Sequence, residues 1–147
     1  MNLKKTCAVM LLLAMILTMP AMATSSRVKR VLTTAVGQIG APYALYSDAP
    51  NSFNCASFVA YCFNRAEKGT ITGRSINSHY HRFRSMGKVK PGDVVCFRTS
   101  ASGPINIHMG IYLGKGYFAH ASNKAGKVTV SRLKRYSKSF VGGIRIF

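Results

Sequence analysis

Cys55 directly follows Asn54 and opens a run in which Cys55, Phe58, Val59, Cys62, Phe63 and Ala66 recur at helical spacing. Asparagine is a good helix N-cap, so the thiol falls at the first helical position. A free cysteine titrates near ~8.5; the unpaired N–H groups of a helix N-terminus and a neighbouring imidazolium both lower that value. The spacing thus sets Cys55 where a thiol can be activated as a nucleophile. From the helix alone, a small buried core cysteine is an equally ordinary outcome.

His108 and His120 supply the partner such a thiol needs. They flank Gly114-Lys115-Gly116, which reads as a hairpin turn between strands Ile107 to Leu113 and Tyr117 to Ala121. A three-residue turn makes Leu113 face Tyr117, Gly110 face His120 and His108 face Ser122. Alternate residues of a strand share a face. His108, Gly110, Tyr112, His120 and Ser122 then lie on one side, with Met109, Ile111 and Leu113 turned into an apolar layer. The two histidines become diagonal neighbours across Gly110, one placed as a base and the other to fix its ring and tautomer. A two-residue turn would put them on opposite faces. A satisfied histidine pair and a metal site are the competing readings. Zinc needs more ligands than this region offers, since the only acidic side chains are Asp48, Glu67 and Asp93, and His79 and His81 read as surface residues.

The remaining segments must position these groups. Lys4 and Lys5, an apolar stretch from Cys7 to Met19 and Ala21-Met22-Ala23 have the layout of a secretory signal peptide cleaved after Ala23. The apolar stretch is short for a membrane span, and Cys7 lies too early to be a lipid-accepting cysteine. The expected organisation is a leader over 1–23 and one domain over 24–147, exported to the periplasm, wall or medium with no span left after cleavage. Ser25 and Ser26 precede an amphipathic helix with Val28, Leu32, Ala35, Val36 and Ile39 on one stripe, ended by Gly40 and Pro42. Residues Ala41 to Phe53 read as a loop, Gly69 as the stop of the second helix, and Ile71 to Met86 as a long polar connection with a short helix. Pro91-Gly92-Asp93 makes a turn before a strand from Val94 to Arg98, and Val128 to Val130 and Phe140 to Phe147 are further strands. Helices followed by an antiparallel sheet of five to six strands is an α+β arrangement.

The formal charge is +18. The leader carries two of the 21 Lys and Arg and none of the three acids, which leaves +16 on the rest. Such a balance predicts an acidic partner or a solvated basic surface. Basic residues are spread from Arg27 to Arg145 with no zinc-finger spacing or aromatic-interleaved stripe, so anionic wall polymers fit an exported protein better than nucleic acid. Three cysteines lie beyond the leader. Cys55 and Cys62, two helical turns or ~10 Å apart, cannot bridge each other without strain, and Cys62 and Cys96 sit among large apolar residues as inert thiols.

Segments Gly40-Ala41-Pro42-Tyr43, Asn54-Cys55-Ala56-Ser57-Phe58-Val59, Pro91-Gly92-Asp93-Val94-Val95, His108-Met109-Gly110-Ile111-Tyr112-Leu113-Gly114 and Phe118-Ala119-His120-Ala121-Ser122 resemble, in order, the signature segments of NlpC-type peptidases. The resemblance implies a papain-like core with Cys55 as nucleophile, His108 as base, His120 as its orienting residue and Tyr43 near the oxyanion. It implies Asn54, Ala56 and Ser57 beside the substrate, no metal or organic cofactor, and peptidoglycan stem peptides cut at γ-D-glutamyl-diaminopimelate or lysine bonds. The family usually reads Asp-Cys-Ser-Gly where this chain has Asn54-Cys55-Ala56-Ser57, and its Trp-Gly-Gly segment is replaced by Ala44 to Ser47. The alternative readings of this chain are a related amidase, an acyl transferase or a wall-degrading toxin using the same triad, and an idle cationic wall-binding protein that keeps the fold.

Overall fold

The computed structural model describes residues 10–12, 14, 25–67, 86–99 and 107–147. Two helices come first. Helix α1, Ser26–Gly37, is capped by the Ser25 hydroxyl, which accepts from Val28 N–H at 3.3 Å. It buries Val31, Leu32, Ala35 and Val36 at helical spacing. Helix α2, Cys55–Ala66, starts on an Asn54 capping box and buries Phe58, Val59, Cys62, Phe63 and Ala66. It ends at Ala66 with Glu67 as C-cap. Gly69, the expected stop, the Ile71 to Ser85 connection with His79 and His81, and most of the leader lie outside the described residues.

Strands β1 (Val94–Arg98), β2 (Ile107–Gly114), β3 (Tyr117–Ser122), β4 (Lys127–Arg132) and β5 (Phe140–Ile144) form one antiparallel sheet in the order β4-β3-β2-β1-β5. The α+β expectation holds. β4 runs further at both ends than Val128 to Val130 and β5 stops at Ile144, before the expected Phe147.

Period-two alternation gives the sheet two unlike faces. On one, Val94, Cys96, Met109, Ile111, Leu113, Ala119, Ala121, Val128 and Ile144 join the buried stripes of α1 and α2 in the main core. On the other, Val95, Phe97, Phe118 and Leu133 form a smaller cluster with Val89, Tyr112, Tyr136 and Phe140. Leu133 and Tyr136 come from a 3₁₀ turn, Leu133–Tyr136, folded back after β4. Asp93, at the turn into β1, is buried and holds the sheet's corner. Its carboxylate accepts two bonds from Arg145, at 2.8 and 2.7 Å, and one from Lys90 N–H at 2.8 Å.

The hairpin between β2 and β3 corrects the sequence expectation. Gly114 pairs with Tyr117 across a two-residue turn, Lys115-Gly116, and all three of Gly114, Lys115 and Gly116 have positive φ. Two residues at φ > 0 suit the twist of a tight hairpin. That turn alone would send the histidines to opposite faces. A bulge between Tyr112 and Gly114 adds one residue to β2 and restores the pairs Tyr112–Phe118 and Ile111–Ala119. The turn is shorter than expected, and the bulge returns both histidines to one side.

Candidate active site

The segment before α2 is tied down on both sides. Tyr43 and Phe53 form an isolated parallel bridge, with Phe53 N–H donating to Pro42 O at 2.9 Å and Ala44 N–H to Phe53 O at 3.0 Å. Tyr43 is half-buried against the main core, at the foot of the loop that returns to Asn54. Asn54 then works in two directions. Its Oδ1 accepts from Ser57 N–H at 2.9 Å, and Ser57 Oγ accepts from Asn54 N–H at 3.0 Å. Its amide nitrogen donates to Leu45 O at 3.0 Å and to Ser47 Oγ at 3.3 Å. The polar groups of Asn54 and Ser57, expected beside a substrate, are engaged in holding the helix start and the loop. An aspartate could form the cap but could not donate to the loop.

Cys55 is half-buried, and its sulfur rests on the backbone of β2. Sγ lies 4.0 Å from Ile107 O, and Met109 N–H points at it, so the thiol touches the strand on either side of His108. β2 leaves this seat open for a geometric reason. Tyr112 exchanges bonds with Asp93 O and Gly92 N–H on the β1 side, so alternation turns the backbone groups of Ile107, Met109 and Ile111 towards β3. The β2–β3 ladder ends at Ile111–Ala119, and the expected His108–Ser122 pair does not form. Ser122 instead accepts from Ala125 N–H at 3.1 Å in the turn before β4. The sulfur occupies groups that a longer ladder would have used.

The two imidazoles meet on the other face of the sheet from the helices, beside Phe97 and Phe118. Their centroids are 4.9 Å apart with planes at 79°, and His108 Nε2 lies 2.7 Å from His120 Nδ1. His120 Nε2 lies 2.9 Å from Ser131 Oγ. Gly110 makes the approach possible. A Cβ there would stand 2.5 Å from Ala119 O and 3.0 Å from the His120 Cβ. His120 also packs on Phe118 and Tyr136, at 4.7 and 5.9 Å between centroids.

This surrounding sets the protonation states. Burial lowers the pKa of His108; burial and then the charge of His108 hold His120 far below its ordinary range. Both rings are neutral at pH 7. One arrangement of protons leaves His108 Nδ1 as a free acceptor: His108 Nε2–H donates to His120 Nδ1, and His120 Nε2–H donates to Ser131 Oγ. For Cys55, burial raises the thiol, and the N–H groups of Met109, Ala56 and Cys55 itself pull it down without offsetting that rise. The expectation of a thiol lowered by its helix is corrected here. The helix donors are present, but the same docking that brings the sulfur to β2 removes it from water. Burial also raises Cys62, and Cys96 is pushed up to about 12 by burial and the nearby Cys55; both are buried free thiols.

The thiol thus sits at a helix start against the strand that carries His108, and His108 is coupled to His120. The NlpC/P60 family model matches residues 40–145, which span every element just described from the Tyr43 bridge to β5. The chain belongs to the NlpC/P60 family. It is 30% identical over 123 residues to the probable peptidoglycan endopeptidase LytE of Bacillus subtilis, covering 83% of this chain and 35% of that protein. It is 37% identical over 121 residues to the gamma-DL-glutamyl hydrolase of the same organism, covering 80% of this chain and 29% of that one. Among solved structures, NlpC1 from Trichomonas vaginalis superposes with a TM-score of 0.71 at 23% identity, over 84% of this chain and 45% of that one, a likeness of fold. The chain spans between a quarter and about a third of the length of the curated relatives it matches first.

Within this NlpC/P60 domain, Ser131 and the Met109 N–H were not singled out from the sequence. Ser131 alternates with Val130 and Val128 along β4, so extending that strand by one residue would have put it on the histidine face. The Met109 contact had no sequence signal, because it depends on where a ladder stops.

Proposed function

We propose that this chain is an exported cysteine peptidase that hydrolyses amide bonds in peptidoglycan stem peptides, with Cys55, His108 and His120 as its catalytic groups. The observation that carries this reading is the seat of the Cys55 sulfur between Ile107 O and Met109 N–H, which flank the base candidate. The leader-like first 23 residues and the names of the relatives support export and a wall substrate. One of those names, the gamma-DL-glutamyl hydrolase, supports a γ-glutamyl bond as the one cut.

In the resting state the thiol and imidazole are both neutral, so proton transfer accompanies attack. His108 Nδ1 takes the thiol proton as Sγ adds to the amide carbonyl. The charge that develops on His108 is shared with His120 through the 2.7 Å contact and stabilised by the Ser131 oxygen behind it. The new oxyanion is met by the Cys55 backbone N–H and the Tyr43 hydroxyl. His108 then returns its proton to the leaving amine, and water releases the acyl group from sulfur. Asn54, Ala56 and Ser57 fix the backbone that makes these contacts.

Purified peptidoglycan is incubated with the full chain and with Cys55→Ala, and the fragments are read by mass spectrometry. New stem-peptide fragments with the wild type alone are expected. Unchanged fragments with the wild type, or equal cleavage by the variant, overturn the proposal. The raised thiol favours a second reading, a cationic wall-binding protein without turnover, and the same digestion separates the two.

A further inference from the structure

We infer a second site on this chain: a phosphate-binding depression between α1 and α2 that anchors the protein to a phosphodiester-linked polymer of the cell envelope. The depression, of about 450 Å³, is lined by Ser26, Lys29, Arg30, Thr33, Thr34 and Arg65. Three cations converge on it with no acidic side chain in its lining. The whole sequence has three carboxylate side chains, and each is engaged elsewhere. The Asp48 carboxylate accepts from the Asn51 amide at 3.0 Å, Glu67 pairs with Arg27 at 3.2 Å, and Asp93 is clamped by Arg145. The positive potential of the depression is therefore left for a ligand from outside.

The donors specify an oxyanion. Lys29 and Arg30 approach from α1 and Arg65 from α2, with the Ser26 and Thr34 hydroxyls between them, while the Thr33 hydroxyl donates to Lys29 O at 2.9 Å. Groups spread around a concavity suit a tetrahedral phosphate, whose oxygens point in several directions, better than a planar carboxylate, and arginine adds a forked donor. Among the described residues, the lining of this depression has no apolar side chain to enter a bilayer. A polymer is favoured by a second depression of about 330 Å³, which shares Arg65 and continues past Asn64 and Tyr61 to Ser57 at the start of α2. Ten residues of helix separate Arg65 from Cys55, roughly 15 Å along the axis. A strand held at the first depression would run along the outer face of α2 towards its N-terminal end. The choice of an envelope polymer rests on the location proposed above; the binding itself does not need Cys55 to react.

The test uses the full chain carrying Cys55→Ala, so that turnover cannot remove the target. Co-sedimentation with purified cell walls is measured before and after chemical stripping of their phosphodiester polymer. Retention on phosphate-bearing walls at least tenfold above stripped walls is expected. Lys29→Ala/Arg30→Ala/Arg65→Ala should lose most of that excess. Lys115→Ala/Lys124→Ala/Lys134→Ala, which removes the same charge from other exposed positions, should keep it within about threefold. Circular dichroism verifies that both triple variants are folded. Equal loss in the two triples, equal retention on stripped walls, or tighter binding to duplex DNA or phosphatidylglycerol vesicles than to the polymer would overturn the inference. Failure here leaves the digestion result untouched, so the two proposals fall separately.

Discussion

The two halves of β2 have the same neighbours in sequence but different fates. From Ile111 to Gly114 the strand is paired with β3, bulges once and turns back on itself. From Ile107 to Gly110 it is paired, among the described residues, on its β1 side, and the other edge receives the Cys55 sulfur. The paired half holds the hairpin and the open half carries the candidate site. The contrast teaches that a strand can offer its backbone groups to a side chain by parting from its neighbour.

The largest effect belongs to the group seated on the open edge. Cys55→Ala should reduce peptidoglycan hydrolysis by at least ~10⁴-fold while leaving thermal stability nearly unchanged. Leu113→Ala, in the paired half, should do the reverse: about 2–4 kcal/mol of stability lost in denaturant titration, with kcat within about twofold. If Leu113→Ala abolished turnover in a still folded protein, the division of the strand would be wrong. Gly110→Ala tests the fork itself. Its Cβ meets the Ala119 carbonyl and His120 Cβ, neither of which can swing aside, so a loss of about 1–3 kcal/mol and a fall of at least tenfold in kcat are expected.

Protonation sharpens the same contrast. Burial holds the folded-state pKa values of both histidines below the unfolded value of ~6.5. Below that value the unfolded chain binds protons that the folded chain refuses, so this part of the stability is complete above ~pH 6.5 and declines as pH falls. The melting temperature should drop between pH 7 and pH 5, and His120→Asn should flatten that drop. A slope unchanged by the variant would count against a neutral buried His120. The acid limb of activity should fall below ~6.5 for the same reason, whereas alkylation of Cys55 in the free protein should rise only above ~8.5. Ser131→Ala gives the smallest effect, a three- to tenfold loss in kcat with KM unchanged, because His120 loses one tautomer-fixing contact of about 1 kcal/mol. Ser131→Thr should restore most of it.

Much of this was legible before any coordinates. Ser25, Asn54 and the apolar stripes placed both helix starts, because capping and periodicity are local. Alternation through Met109, Ile111 and Leu113 separated the two sheet faces correctly. One hairpin set His108 beside His120, and one cap set Cys55 at the start of α2. What escaped was set by tertiary contact. The bulge at Leu113 compensates a turn one residue shorter than expected, and no residue pattern announces such a compensation. The sign of the Cys55 shift depends on docking against β2, which competes with the helix field that the sequence does reveal. The second role of Asn54, pinning Leu45 and Ser47, appears only once the loop has folded back on it.

The strand order carries a consequence for how the chain reaches this state. β1 lies between β2, its sequence successor, and β5, the strand furthest along the chain. The Asp93–Arg145 clamp joins the same two distant segments. Such long-range pairing is slow to form, because closing a long loop must precede the contacts that reward it. A chain whose last strand has not yet docked therefore keeps one side of β1 unsealed, and the sheet closes only when β5 arrives.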